Sequence, residues 1–462
     1  MQAGAASVEI TPPAGTHLAG DGIGRHRPAE KVLDPLFARA VVLAAGGRKV
    51  CLLALDVTLI TREWTDRIRG AAAGPCGLEP DAILVHATQT HSAPMVGHCM
   101  LDPDFPNLPA AIEYLRGGET AYYEFACAQA IEAIRRANAQ LRPVQVGVGR
   151  AMRDGLAFNR RGILRRGGVT MPWFFASKDK PLGPTEILCL EGPTDPEVGV
   201  VGLRDDQARM VAMLLSFTCH PVNVFAQAST AVTADWPGAW AAEMQRRWGP
   251  DCVPVVLNGC CGNINPWPAF EPDFVPDHRR MGRALADSGS AVLERMTFAP
   301  SERLDWVCRE VRLPLKPADA ERVSWAEKLL AQHPQPLWSK QTPPAIAPQW
   351  FRAASIMSVE MLRRRTPAFP YEIQAFRIGD VGLVGLPGEP FVEGQLELKL
   401  RSPAPSTYVA HCATQYVGYI PTRRAFAYGG HEVDFSYWAK LAPEALDLIV
   451  AEATAMLRGL FG

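Results

Sequence analysis

Short apolar runs separated by turn residues set the first pattern along this chain. Residues 41–45 and 50–55 are continuous hydrophobic runs around Gly46-Gly47 and read as buried strands joined by a turn. Residues 82–85 form a third run, leading directly into His86-Ala87-Thr88-Gln89-Thr90-His91. Between the second and third runs, Thr61-Arg62-Glu63-Trp64 opens an amphipathic stretch that predicts a helix. Tyr123, Cys127, Ile131, Ile134 and Leu141 share one helical stripe, which predicts a helix over 120–141. Further strands are predicted at 210–218, 252–257, 371–378 and 381–386, and further helices at 238–248, 278–296, 318–330, 349–364 and 443–457. Strand and helix patterns alternate, so the expectation is a mixed-sheet α/β fold.

A proline-rich stretch, 332–348, reads as a surface excursion. It does not divide the chain, because motifs on both sides converge in the reading below; residues 1–462 are expected to form a single catalytic domain. Trp173, Trp338 and Trp350 look exposed and are candidates for a pocket mouth or an interface.

Composition narrows the function classes. Hydrophobic residues make up 48% and charged residues 21%, and the net charge of -1 gives no bulk attraction to nucleic acid or an anionic membrane. No run is long and apolar enough to span a bilayer, and the first residues do not read as a signal peptide. The eleven cysteines are odd in number, scattered and without a CxxC pair, which fits a reducing, cytoplasmic setting.

Five segments carry candidate chemistry. Thr88-Gln89-Thr90-His91-Ser92-Ala93-Pro94 and Phe217-Thr218-Cys219-His220-Pro221 each end an apolar strand in histidine, and a proline follows. Strand ends feeding loops are where α/β enzymes keep reactive side chains, and imidazole is the commonest metal ligand. Gln89 and His91, two apart, would share a face of an extended strand, with His86 on the other. Gly259-Cys260-Cys261-Gly262-Asn263-Ile264-Asn265-Pro266 dictates a tight turn able to aim N–H groups at an oxyanion, with Gly262, Asn263 and Asn265 as the candidate residues. Pro387-Gly388-Glu389-Pro390 holds one carboxylate in a rigid setting. Tyr416-Val417-Gly418-Tyr419 offers a phenol able to bind a metal or donate a proton, and His431 follows shortly after.

In order, these segments resemble the catalytic domain of the neutral/alkaline non-lysosomal ceramidases and their short bacterial relatives. Val8-Glu9-Ile10-Thr11-Pro12-Pro13, Leu33-Asp34-Pro35-Leu36 and Phe158-Asn159-Arg160-Arg161 extend the likeness, which runs from about residue 7 to about residue 435. The resemblance implies a hydrolase whose zinc is held by two histidines, a glutamate and a tyrosine. On this chain it assigns His220, Glu389 and Tyr419 to the metal and Arg160 to the substrate amide.

Several positions depart from the family pattern. Gln89 stands where the first ligand histidine is expected, Asn265 where a serine is expected, and His431 where a second active-site tyrosine is expected. The immunoglobulin-like domain that follows in ceramidases has no counterpart here. The expected activity is therefore hydrolysis of an amide, ester or lactone in a small soluble substrate by metal-activated water, with one divalent ion, most simply zinc. Three arrangements stay open: Gln89 ligates through its amide oxygen, His91 moves in as ligand with His431 as acid/base, or the site is metal-free. Competing readings are a cysteine nucleophile at Cys260 or Cys261, a non-catalytic binder, and lyase or isomerase chemistry. Oligomeric state, including a homo-oligomer, is left open.

Overall fold

The computed structural model describes residues 1–20, 24–172, 186–271, 273–317, 319–340 and 344–462. Trp173 and residues 341–343 of the proline-rich stretch lie outside this set.

The first hairpin shows how the apolar runs become a sheet. Phe37–Ala45 and Arg48–Leu55 pair antiparallel, with Ala45 opposite Arg48. The turn needs two left-handed residues, which Gly46 (φ +56°) and Gly47 (φ +78°) supply. Side chains then alternate. Val41, Leu43, Val50, Leu52 and Ala54 enter one core, while Ala38, Ala40, Val42, Cys51, Leu53 and Leu55 enter another. That second core is closed by the helices Arg62–Cys76 and Thr120–Ala139.

Three sheets of four or five strands repeat this logic among the described residues. The first runs Ile83–Ala87, Arg48–Leu55, Phe37–Ala45, Gln2–Glu9, Arg142–Pro143. The second runs Val253–Asn258, Met210–Phe217, Glu197–Arg204, Gln145–Met152, Phe298–Ala299, with the helices Asp235–Trp248 and His278–Glu294 on its outer face. The third runs Leu304–Pro314, Ala368–Ile378, Val381–Gly385, Ser406–Ala410 and is backed by the helix Ala445–Phe461. Their inner faces share one core, in which Leu43 and Leu52 meet Leu214 and Val255 of the second sheet and Phe376 and Leu383 of the third.

Each of these sheets contains a parallel pair: Arg48–Leu55 with Ile83–Ala87, Met210–Phe217 with Val253–Asn258, and Val381–Gly385 with Ser406–Ala410. Parallel neighbours need a crossover, and a helix supplies each one: Arg62–Cys76, Asp235–Trp248 and Val392–Arg401. The carboxyl ends of the three pairs meet at His86. Its Nε2 accepts from the Asn258 backbone N–H at 3.2 Å and its Nδ1 donates to the His411 carbonyl.

The mixed α/β expectation is met, and the predicted elements recur with ends shifted by a few residues. The sequence reading missed Gln2–Glu9, Gln145–Met152 and Glu197–Arg204, whose apolar signal is diluted by glycine and alanine. Tight packing explains the dilution, since a Cβ on Gly199 would fall 2.2 Å from the Tyr408 ring. Trp350 corrects another expectation: it is fully buried and its indole donates to the His333 carbonyl at 2.9 Å. Trp338 is exposed. No helix among the described residues is long and apolar enough to cross a membrane.

Candidate active site

All six strands of the parallel pairs feed loops that converge on one cavity of about 500 Å³. Thr58 and Leu59 follow the first strand of the first pair, and Gln89 and His91 the second. From the second sheet come Val222 and Asn265, and from the third come Glu389, Tyr416 and Tyr419. The five sequence motifs are therefore brought together, as expected of carboxyl strand ends in α/β folds.

Glu389 lines the cavity, and the buried His220 lies directly behind it. The His220 Nδ1 sits 3.1 Å from the Ile264 carbonyl, which can only accept, so that nitrogen carries a proton. Its Nε2 lies 3.0 Å from Glu389 Oε2, a hydrogen bond to the carboxylate whose N–H a bound cation would displace. The other carboxylate oxygen accepts from the Tyr416 hydroxyl at 2.9 Å. Burial alone would raise the Glu389 pKa. The hydrogen bond and charge of His220, the charge of Arg160 and a hydrogen bond from Gln89 outweigh it and hold the carboxyl at about 2. Glu389 is also the register partner of Tyr419 in a short parallel ladder. Burial, then the Glu389 charge, push the Tyr419 phenol far up, so it stays protonated in this arrangement.

This donor set suits a cation. Two atoms each about 2.1 Å from one tetrahedral ion stand roughly 3.4 Å apart, a few tenths of an ångström more than the 3.0 Å that separates Nε2 and Oε2. His220 is oriented by a backbone carbonyl on its far nitrogen, the usual support for a metal-bound imidazole. Among the described residues no three His, Cys, Asp or Glu side chains group closely enough to hold a metal by themselves. A phenol would have to extend the set, and Tyr419 is paired beside Glu389.

Gln89 takes a different part from the one expected. The strand ends at Ala87, and Gln89 adopts φ +70°, a left-handed conformation that is strained for a side chain of this size. Gln89 and His91 both line the cavity, although no extended strand aligns them. The Gln89 amide oxygen accepts from the Cys261 thiol at 3.4 Å, and its side chain hydrogen-bonds Glu389. Its oxygen is thus engaged away from the His220–Glu389 pair, which corrects the expectation of amide-oxygen ligation. The His91 Nδ1 bonds to the Gly20 carbonyl at 3.0 Å, and its ring lies 5.6 Å from that of His220. Burial and His220 pull the His91 pKa down to about 3, so the ring is neutral with Nε2 unprotonated.

Arg160 faces the cavity and is held in place by its neighbours. It donates to Glu432 at 3.0 Å, to Asn265 Oδ1 at 3.4 Å and to His431 Nε2 at 3.3 Å, and its guanidinium lies 5.3 Å from the Tyr419 ring centre. His431 therefore has its Nε2 lone pair turned to Arg160. Burial lowers its pKa to about 4, so the ring is neutral at neutral pH.

The glycine-asparagine turn is likewise spoken for. The N–H groups of Gly259, Cys260, Gly262 and Ile264 bond to Phe217, Gln395, Pro390 and Cys261. Asn263 receives the Val392 N–H at 2.9 Å and donates to Glu393 at 3.0 Å, anchoring the Val392–Arg401 helix. Neither Gly262 nor Asn263 is available for an oxyanion; only Asn265 of the three lines the cavity. The cysteine nucleophile is disfavoured too. Cys260 and Cys261 are buried outside the cavity lining, and desolvation pushes both thiols up, away from the reactive thiolate.

The sequence reading missed Tyr416, Arg161 and Glu432 as site residues. Each adjoined a residue it did select: Tyr416 belongs to the Tyr419 motif, Arg161 follows Arg160, and Glu432 follows His431. It also missed the apolar wall of Met95, Met100, Met171, Phe225, Trp267 and Trp438, for which the sequence gives no local signal.

No family model matches the chain. No curated protein matches it either. Among solved structures, the neutral ceramidase from Pseudomonas aeruginosa aligns with a TM-score of 0.71 and 16% identity, covering 100% of this chain and 74% of that one. A ceramidase complexed with C2 aligns with a TM-score of 0.70 and 16% identity, over 99% of this chain and 75% of that one. The fold is neutral ceramidase-like throughout.

Proposed function

We propose that this chain, with its neutral ceramidase-like fold, is a metal-dependent hydrolase that cleaves an amide, ester or lactone bond in a small substrate. The observation that carries this reading is the meeting, at 3.0 Å, of the buried His220 Nε2 and the ionised Glu389 that lines the cavity. His220, Glu389 and Tyr419 would hold the divalent ion; imidazole, carboxylate and phenol donors favour zinc. When bound, such an ion lowers the pKa of water and polarises a carbonyl.

The protein's own contribution is orientation and proton handling. The Ile264 carbonyl fixes which His220 nitrogen faces the site, while Tyr416 and Gln89 hold the carboxylate. His91, neutral and with Nε2 unprotonated, takes the proton from the attacking water and returns it to the leaving group. Arg160 and the Asn265 amide position the polar part of the substrate. The methionine and aromatic wall excludes water and favours an apolar remainder.

Elemental analysis of purified protein, paired with a panel of amides, esters and lactones, tests the proposal. Wild type should carry near-stoichiometric metal and turn over at least one bond class, and His220→Ala and Glu389→Ala should lose both properties. Full activity after exhaustive chelation, or undiminished activity in Glu389→Ala, would sink it. Bound metal without turnover on the whole panel would turn the reading to a binding protein.

A further inference from the structure

We infer that Arg27 and Gly20, far in sequence from every motif above, are positioning residues that fix the tautomer and placement of His91. The inference rests on the reading of His91 as the proton-transfer residue. Residues 16–20 and 24–29 form a short arm pinned to itself. Leu18 N–H bonds to Arg27 at 2.7 Å, Ala29 N–H bonds to Thr16 at 2.8 Å, and His17 bridges to Pro28. The Ala19 N–H then donates to the Ala93 carbonyl at 2.9 Å, docking the arm on the loop that carries His91.

Arg27 ties the arm down from inside. It is 1% exposed and donates to three backbone carbonyls from different parts of the chain: Ser229 at 2.9 Å, Ala19 at 2.6 Å and His91 itself at 3.0 Å. Its guanidinium lies 4.6 Å from the Phe225 ring centre, and Phe225 meets the His91 ring edge-on at 5.7 Å. Arg27 thus reaches His91 twice, at its backbone directly and at its imidazole through Phe225.

Gly20 makes the contact that decides the chemistry. Its carbonyl, 3.0 Å from His91 Nδ1, can only accept, so the proton resides there and Nε2 is left as the basic nitrogen. The approach demands glycine: φ is +94°, and a Cβ would lie 2.7 Å from His91 Cγ. Because Arg27 NH1 holds the preceding carbonyl, of Ala19, the Gly20 acceptor keeps its place only while Arg27 holds the arm.

The test has two independent readouts on the full-length protein. Histidine ring ¹⁵N shifts, with His91 assigned by its loss in His91→Gln, should show Nδ1–H and an unprotonated Nε2 in wild type. Arg27→Met should show mixed tautomers and a kcat lower by about 10- to 100-fold with KM within about twofold, the range typical of lost outer-shell support. Arg27→Lys, which keeps one donor, should recover part of both, and Gly20→Ala should displace the ring and lower kcat at least as far. A wild-type Nε2–H tautomer, or an Arg27→Met protein with unchanged ring shifts, overturns the inference. If wild type hydrolyses nothing, the hydrolase reading fails, and the ring shifts still decide whether Arg27 and Gly20 set the tautomer.

Discussion

Two buried polar clusters sit side by side at the carboxyl ends of the same strands, and they are built on opposite principles. In the brace, His86 bonds to the backbone of Asn258 and His411. Asn258 in turn donates to the Thr88 carbonyl at 3.1 Å and accepts from the Cys219 N–H at 3.3 Å. In the floor, side chain meets side chain: His220 with Glu389, Glu389 with Tyr416, Gln89 with Cys261. Backbone partners cannot turn away, so the brace locks three sheets together. Side-chain partners leave lone pairs that a cation or substrate can claim. Burial and residue type are alike in the two clusters; the identity of the partner separates stability from chemistry.

The sharpest break of this contrast is at the floor. Glu389→Gln should lower kcat/KM by about 10³-fold or more, roughly 4 kcal/mol of transition-state stabilisation. Its Tm should fall modestly, because a carboxyl held at about 2 is favoured in its charged form by the fold and contributes stability at neutral pH. A Tm collapse accompanying the loss would show that the floor is structural as well.

His86→Ala should do the reverse. Two backbone groups lose their partner in a dry interior, at a cost of about 3 kcal/mol in urea unfolding, while folded protein keeps activity within several-fold. Unchanged stability would remove the brace from the argument.

Acid should find the brace as well. Burial, only partly offset by the bond to His411, lowers the His86 pKa from 6.5 to about 4. Between those values the unfolded chain binds a proton that the folded chain refuses. Its stabilising contribution is therefore complete above pH 6.5 and declines as pH falls toward 4, by at most about 1.4 kcal/mol per unit. Urea midpoints measured across that window should fall more steeply for wild type than for His86→Gln; parallel lines would contradict the assignment.

Smaller effects grade the floor itself. Tyr416→Phe removes one bond to Glu389 and should cost about 1 kcal/mol, roughly a fivefold loss in kcat/KM. Tyr419→Phe should cost metal affinity in addition, measured by competition with a chelator. Cys261→Ala should change activity by no more than about twofold, since its thiol is buried and protonated; a complete loss would revive the cysteine nucleophile.

The brace and the floor were unequally legible in the sequence. The hairpin at Gly46-Gly47 and the strand-end histidines could be read because apolar runs stop abruptly at turn residues. The strand Glu197–Arg204 could not, because its glycines answer to distant rings, Gly199 to Tyr408 and Gly202 to Phe298. His220, Glu389 and Tyr419 were found as motif residues, and the structure brings them together. Gln89 was placed at the site, but its direction depends on a left-handed backbone and on Cys261, neither of which any local pattern encodes. The Gly262 and Asn263 assignment failed for a related reason: the turn looked like a ring of open donors, and the loop after Gly385 and the helix that follows it had already taken them.

His91, His220 and Glu389 each come from a different sheet. The floor is therefore a gauge of how three plates are registered against one another. Interiors packed this tightly pass small displacements on rather than absorbing them. A methyl removed among Leu84, Leu257 and Ala410, out of sight of the cavity, would shift one plate against the next. Such a shift would be felt as slower turnover well before it was felt as unfolding, so the first symptom of a loosening core in this protein is kinetic.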